Sequence, residues 1–487
     1  MLVISLLLPS LGLVSCSDDD DKFVPDGPVT LSVTRDGEDL TDLDFGTYGG
    51  SMIVALETNA YWNISVSGEG ADWLVLSNRS GDPTIKNLPD RDDEPRYIKI
   101  SATAIGKNPT RSCTVTFRAA NEVKTVTVTQ KQLAPADEAG WESAYIACQN
   151  MTVGCNLFNT LDAVGTWFDP DDIVTCETCW GQPLATQEWF NAVYANGFRV
   201  VRVPVTWWLH MDENWKVKEP WMARVEEVVN YALNAGLYCI LNVHHDTGAN
   251  DGKDSKNKSG WLRADLDNID EISVKFESLW LQIANRFNKY GEKLLFEGYN
   301  EMLDAKDSWV EPVAGGYEAV NIYAQKFVNT VRSTGGNNAH RNLIVNTYGA
   351  GGSRTRLDNF VIPEDEIGGH LLLEVHNYSP SKFTNLNGEI DDDHLPVWTA
   401  EFESQLAEEL DLLIEYSNSN NIPIVVGECG CYDKIADVEK AKYGEFLTSY
   451  PKGKADIVLI HWGGMIDRTT YEKMSPLYVD GFIRGAQ

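Results

Sequence analysis

Positive charge is scarce in this chain: 40 Lys and Arg stand against 72 Asp and Glu, for a net charge of −32. Such a surface repels nucleic acid and anionic membrane, which leaves neutral or cationic partners. Long apolar runs are missing too. Only Leu2–Val14 is dominated by apolar residues, and it is too short to span a bilayer. Histidines number eight, and none stands at ligand spacing from the cysteine pairs Cys176/Cys179 or Cys429/Cys431. A zinc site built on those pairs is therefore not expected, and free buried thiols or one local disulfide are.

What the chain has instead is length and aromatic residues. At 487 residues it is too long for one ordinary domain. Fifteen Trp and 19 Tyr supply flat apolar faces of the kind that stack on sugar rings, although most aromatics in any protein are core.

The amino-terminal apolar run ends in Leu13-Val14-Ser15-Cys16, which resembles a bacterial lipobox, with cleavage before Cys16 and lipid attached to it. The basic residues that usually precede such a run are absent. Ser17 and the acidic residues after it, through 28, resemble the tether of surface lipoproteins of Bacteroidetes. An outer-membrane lipoprotein displayed at the cell surface is the expectation for residues 1–16 and 17–28.

From 29 to 132 no helical periodicity appears. Short alternating runs recur (Ser51–Glu57, Tyr61–Val66, Tyr97–Thr103, Cys113–Arg118, Val123–Thr129), separated by Gly, Asn, Asp and Pro clusters, which predicts an Ig-like β-sandwich of about seven strands. AYWNISV (60–66), DWLVL (72–76) and VTVTQKQ (126–132) resemble the BACON domain found ahead of catalytic modules. Trp62 and Trp73 read as core rather than as a binding face, which favours a spacer role.

Residues 133–140 (LAPADEAG) read as a linker, and from Trp141 to Gln487 the texture changes. Strand and helix patterns now alternate. Strands are expected at 152–157, 198–205, 237–243, 293–300, 343–347, 370–376, 422–428 and 456–462, with helices at 187–196, 221–235, 272–290, 317–333, 403–419 and 438–450. Eight repeats predict an α/β fold, a (β/α)8 barrel, in which chemistry collects at the carboxyl ends of the strands. The stretch Asp246–Asp270 is the longest insertion and is expected to be mobile or substrate-shaping.

Those strand ends carry Arg202, His244 with His245, Asn300 with Glu301, His376 with Tyr378, Glu428 and Trp462. Each alone has a structural explanation, such as a satisfied core histidine or half of an ion pair. Together they form a site. Two of the apolar runs, LLFEGYNE (294–301) and IPIVVGE (422–428), each end in a glutamate, and paired carboxylates are the minimum equipment for cleaving a glycosidic bond.

Seven ordered motifs sharpen this: NTLDA (159–163), ETCWGQP (177–183), FRVVRVPVTW (198–207), LNVHHD (241–246), FEGYNEM (296–302), EVHNYSP (374–380) and VVGECG (425–430). The chain from about Met151 to Ile483 resembles glycoside hydrolase family 5, in its endoglucanase-like branch, and departs from it at Cys155, Phe158 and Gln182, where subsite shape is affected. The resemblance implies Glu301 as acid/base and Glu428 as nucleophile. It further implies Asn300 on the sugar 2-hydroxyl, Arg202 and Tyr378 as the pair orienting the nucleophile, and His244, His376 and Trp462 around the cleaved sugar. Arg202 is expected to keep Glu428 ionised while an apolar-walled cleft keeps the proton on Glu301. No metal or organic cofactor is needed. Among the loop tryptophans Trp180, Trp207, Trp208, Trp261 and Trp309, two or three are expected to contact sugar.

The chain thus reads as a monomeric retaining endo-β-1,4-glucanase acting on cellulose-type glucan, mixed-linkage glucan or xyloglucan. An endo-β-1,4-mannanase and a non-catalytic surface glycan-binding protein are the alternatives.

Overall fold

A computed structural model gives the structure of the protein and describes residues 27–84, 95–103, 105, 110–165, 167, 169–247, 260–385 and 388–487. The leader-like run, Cys16 and the acidic stretch up to residue 26 lie outside the described residues, as does 248–259 of the long insertion. The chain divides into two compact units. The first takes the chain up to Asp44, Met52–Ala102 and Ser112–Thr129, and the second takes Phe45–Ser51, Thr103–Arg111 and Gln130–Gln487.

The amino-terminal strands build two five-stranded sheets rather than the seven strands expected. The additions are short pieces such as Glu38–Asp39 and Ser80–Gly81, which are too brief to show an alternating pattern. The long strands obey it: Gly50–Thr58 buries Met52, Val54, Leu56 and Thr58 on one face, and Thr110–Ala119 buries Cys113, Val115, Phe117 and Ala119. Trp62 and Trp73 are both buried in this core, so neither offers a face to a glycan.

The second unit is a closed eight-stranded parallel barrel. Its strands are Val153–Asn156, Val200–Val203, Tyr238–Asn242, Leu294–Glu297, Leu343–Gly351, Leu371–Asn377, Ile424–Cys429 and Ile457–His461. Most are buried at every position, which is why they read as continuous rather than alternating apolar runs. Helices cover the outside with apolar stripes. In Glu219–Asn234 the buried set Trp221, Met222, Val225, Val228, Val229 and Ala232 follows the three-and-four spacing of one helix face. The fourth strand leaves the ladder at Glu297, earlier than expected; Gly298 to Glu301 then continue inward as irregular backbone, with the Asn300 N–H donating to the Val243 carbonyl (2.9 Å). Residues 133–140 belong to the barrel unit, where Asp137 contacts His340 (2.6 Å). None of the eight cysteines among the described residues is in a disulfide.

Candidate active site

Charged residues stand in three otherwise apolar strands, and barrel closure turns them toward one another. Arg202 from the second strand, Glu297 from the fourth and Glu374 from the sixth have no exposed side-chain surface. Arg202 donates Nε and Nη2 to the two oxygens of Glu297 (2.7 and 2.8 Å), Nη2 to Asn300 Oδ1 (2.7 Å), and Nη1 to Asn156 Oδ1 (3.1 Å) and Glu428 Oε1 (3.0 Å). Glu374 Oε1 lies 3.3 Å from its Nη2. Burial works against the cation, but Glu297 and Glu374 outweigh it and hold the guanidinium charged.

Glu428, at the end of the seventh strand, has both oxygens engaged: Oε1 accepts from Arg202 and Oε2 from the Tyr378 hydroxyl (2.9 Å). Glu301 lies across from it, about a quarter exposed, and a carboxylate oxygen of each falls within 4.8 Å of the other. His376 bridges the two. Its Nδ1 is 2.8 Å from Glu301 Oε1 and 3.6 Å from Glu428 Oε2, while its Nε2 is 3.1 Å from Glu374 Oε1.

This bridge acts on both carboxylates. Burial pushes Glu428 up, ahead of the opposing pull of His376 and Arg202. Burial also acts on Glu301, but the hydrogen bond and charge of His376 outweigh it and bring Glu301 down. His376 itself, despite burial, is pushed up to about 10 by the Glu428 charge and by its bonds to Glu301 and Glu374. The His376–Glu301 hydrogen bond thus sets a proton donor beside Glu301.

His244 and Trp462 form one side of the cleft, with ring centroids 5.5 Å apart and planes within 4°. The Asn242 amide fixes the imidazole: Oδ1 accepts from the Val205 N–H (3.1 Å), so Nδ2 faces both Glu297 (2.9 Å) and His244 Nδ1 (3.1 Å). His244 Nδ1 therefore accepts, and its Nε2–H points toward Glu428 Oε1, 4.0 Å away. Burial holds this ring neutral.

Two groupings in the cleft combine histidine with carboxylate, Asp162/His244/His245 and Glu301/His376/Glu428. Neither is built to hold a metal. In the first, the only lone pair of His244 is spent on Asn242; in the second, both nitrogens of His376 face carboxylates.

The loop tryptophans separate. Trp207 is fully buried, its Nε1 donating to the Asn242 carbonyl (3.0 Å), so it is one of those that serve as core. Trp180 is half-buried with its ring 5.3 Å from His245, which places it beside the catalytic groups. Trp261 is tied to Asp246 and lies against the Lys275 ammonium (3.7 Å to the ring centroid). Trp208 is half-buried, and Trp309 stands 48% exposed. Trp215, which the motif reading passed over, is 44% exposed on the other side of Lys275. Trp180→Ala is expected to raise KM for polysaccharide about three- to tenfold with little loss of stability, since a lost ring face is worth about 0.5–1.5 kcal/mol. Trp207→Ala should do the opposite, costing about 3–5 kcal/mol in denaturant titrations through the cavity it leaves.

Residues 161–463 match the family model described as cellulase (glycosyl hydrolase family 5). A xyloglucan-specific endo-β-1,4-glucanase of Bacteroides ovatus is 29% identical over 98% of this chain and 90% of its own length. Endoglucanase A of Ruminococcus albus is 32% identical over 74% of this chain and 97% of its own. A family 5 enzyme of Prevotella bryantii, solved in complex with a xyloglucan tetradecasaccharide, superposes with a TM-score of 0.64 at 39% identity, covering 71% of this chain and 99% of that one.

Proposed function

The chain belongs to glycoside hydrolase family 5, and on that premise we propose that it is a retaining endo-β-1,4-glucanase of plant cell-wall β-glucan, with Glu428 as nucleophile and Glu301 as acid/base. The observation that carries this reading is the spacing of the two carboxylates. Oxygens within 4.8 Å suit direct attack on the anomeric carbon, at ~5 Å, whereas an inverting pair stands ~6.5–9.5 Å apart to admit a water.

The chemistry proceeds from the hydrogen bonds. Arg202 and Tyr378 aim Glu428 by one bond to each oxygen, which leaves a lone pair on each for attack on the anomeric carbon. As that bond forms, the bond from the anomeric carbon to the leaving oxygen breaks, and Glu301 gives its proton to that oxygen after drawing it from His376 Nδ1. Esterification then neutralises Glu428 and removes the main charge holding His376 protonated. Glu301, now a carboxylate, takes a proton from water as the water oxygen attacks the anomeric carbon and releases Glu428. Asn300, held by Arg202, is placed for the 2-hydroxyl of the reacting sugar, and His244 and Trp462 wall its subsite.

Xyloglucan is the favoured glucan, because the relative that spans nearly the whole chain carries that specificity in its name. LVSC ending at Cys16, followed by acidic residues, supports an outer-membrane lipoprotein, and the burial of Trp62 and Trp73 supports a BACON-like spacer for the sandwich. Proton spectra recorded during hydrolysis of xyloglucan, mixed-linkage glucan, carboxymethylcellulose and galactomannan test the reading. Newly formed β-anomer from the glucans, with xyloglucan fastest, is expected. Cleavage confined to galactomannan, or α-anomer released first, would sink it.

A further inference from the structure

Glu374 neither reaches the cleft nor faces the sugar, yet it lies between His376, Arg202 and Glu297. Its neighbours are better supplied with donors. Glu297 accepts from Arg202 Nε and Nη2 and from Asn242, and Glu428 accepts from Arg202 and Tyr378. Glu374 has only Oε1 engaged, at 3.1 Å from His376 and 3.3 Å from Arg202, while its buried Oε2 receives no donor. Arg202 Nη2 lies 2.8 Å from Glu297 Oε1 and 3.3 Å from Glu374 Oε1, so two buried carboxyls face one edge of the guanidinium. A proton on one of them relieves their repulsion, and the carboxyl with the fewest donors is the one that takes it. Sequence accommodates it: a Cβ at Gly427, next to the nucleophile, would fall 1.8 Å from Glu374 Oε1, so the seventh strand carries no side chain there.

We propose that Glu374, held as the neutral acid, is a positioning residue that engages His376 Nε2–H and leaves the Nδ1 proton free to pass to Glu301. The proposal rests on the assignment of Glu301 and Glu428 above. A neutral Glu374 donates to Glu297 and accepts from His376, so the ring keeps its orientation when its Nδ1 proton has moved to Glu301 and on to the leaving oxygen. An ionised Glu374 would instead hold His376 as the imidazolium, and Glu301 would stay a carboxylate unable to act as acid. The charged and titratable groups facing His376 are Glu301 beyond the fourth strand, Glu374 on its own strand, Glu428 on the seventh and Arg202, reached through Glu374, on the second. His244 and His245 on the third strand are kept neutral by burial. Burial, together with the charge of Glu297, pushes Glu374 up to about 8, so its ionisation falls on the alkaline side of neutrality.

The test is a pH–rate profile of wild type, Glu374→Gln and Glu374→Leu on xyloglucan and on a dinitrophenyl β-cellobioside, whose leaving group needs no proton. The glutamine amide can donate to Glu297 and accept from His376 but cannot ionise. It should rescue most of the rate and move the alkaline limb up by at least about half a pH unit. Leucine should lower kcat on xyloglucan by about 10- to 100-fold at unchanged KM, the usual cost of losing a supporting partner, with little loss on the dinitrophenyl substrate. An alkaline limb unmoved in Glu374→Gln overturns the proposal, and so does an equal loss on both substrates in Glu374→Leu, which is the pattern of a packing role. The glutamine result decides the matter even where the leucine variant does not fold. A wild type inert on every β-1,4-glucan would mark failure of the underlying enzyme assignment instead.

Discussion

Glu428→Ala should reduce turnover on every β-glucan to background, and Glu301→Ala should not. Without Glu428 there is no atom to form the glycosyl ester, so even an activated aryl glycoside stays intact. Without Glu301 the nucleophile is still aimed by Arg202 and Tyr378. A leaving group that needs no proton should therefore still be displaced, while polysaccharide cleavage falls by about 10²- to 10⁴-fold, the usual contribution of a general acid. Azide separates the two roles by stereochemistry. In Glu301→Ala it attacks the ester from the face the leaving group left, giving the β-glycosyl azide. In Glu428→Ala it occupies the space of the missing carboxylate and displaces the leaving group directly, giving the α-azide. Both variants should melt close to wild type, because each removes one carboxylate from a cluster that holds an excess of them. Azide products of the opposite anomers would exchange the two assignments.

The barrel, and the two glutamates Glu301 and Glu428 that face each other in it, were legible in the sequence for one reason. A strand buried on both faces reads as an unbroken apolar run, and the residue that ends it stands out. The charges inside the runs were harder to read. Glu297 in LLFE and Glu374 in LLLEVHN each look like an interruption of a core strand until closure points them at Arg202. The available signal was arithmetic: one Arg and two Glu within three mostly apolar strands, in a fold whose strands share one interior. Which of the loop tryptophans the core takes was not legible, since Trp207 is buried and the adjacent Trp208 only half-buried, and periodicity does not tell the two apart. The contact of His376 with both carboxylates was hidden as well, since the sixth and seventh strands shift register between Val375 and His376. No local pattern encodes that shift.

Arg202 should be the most damaging single position in the protein, because stability and catalysis both depend on it. Replacing it with methionine preserves most of the volume and removes all five side-chain bonds it makes to Glu297, Asn300, Asn156 and Glu428. The partners remain, sealed from water, and breaking a buried ion pair from one side costs about 3–5 kcal/mol. Lysine should rescue little, since one ammonium cannot satisfy a planar set of contacts on three sides. The pH dependence has a definite sign. In wild type, burial is outweighed by Arg202 and Glu297 is held below its ordinary 4.5, so its pairing stabilises the fold above that value and the benefit fades as pH drops through the lowered one. In Arg202→Met only the Asn242 amide and Glu374 are left to oppose burial, so Glu297 rises and the fold is favoured where the carboxyl is protonated. The stability gap between variant and wild type should therefore be widest near pH 7 to 8 and narrow below about pH 5 in urea titrations of the barrel. Adding Glu297→Gln should recover stability at neutral pH, because the stranded charge is gone, without recovering kcat, because Glu428 and Asn300 are still unaimed. A single variant that unfolds at the wild-type urea midpoint at pH 7, or a double variant that regains full turnover, would show that the guanidinium is not the shared support of fold and chemistry that its contacts indicate.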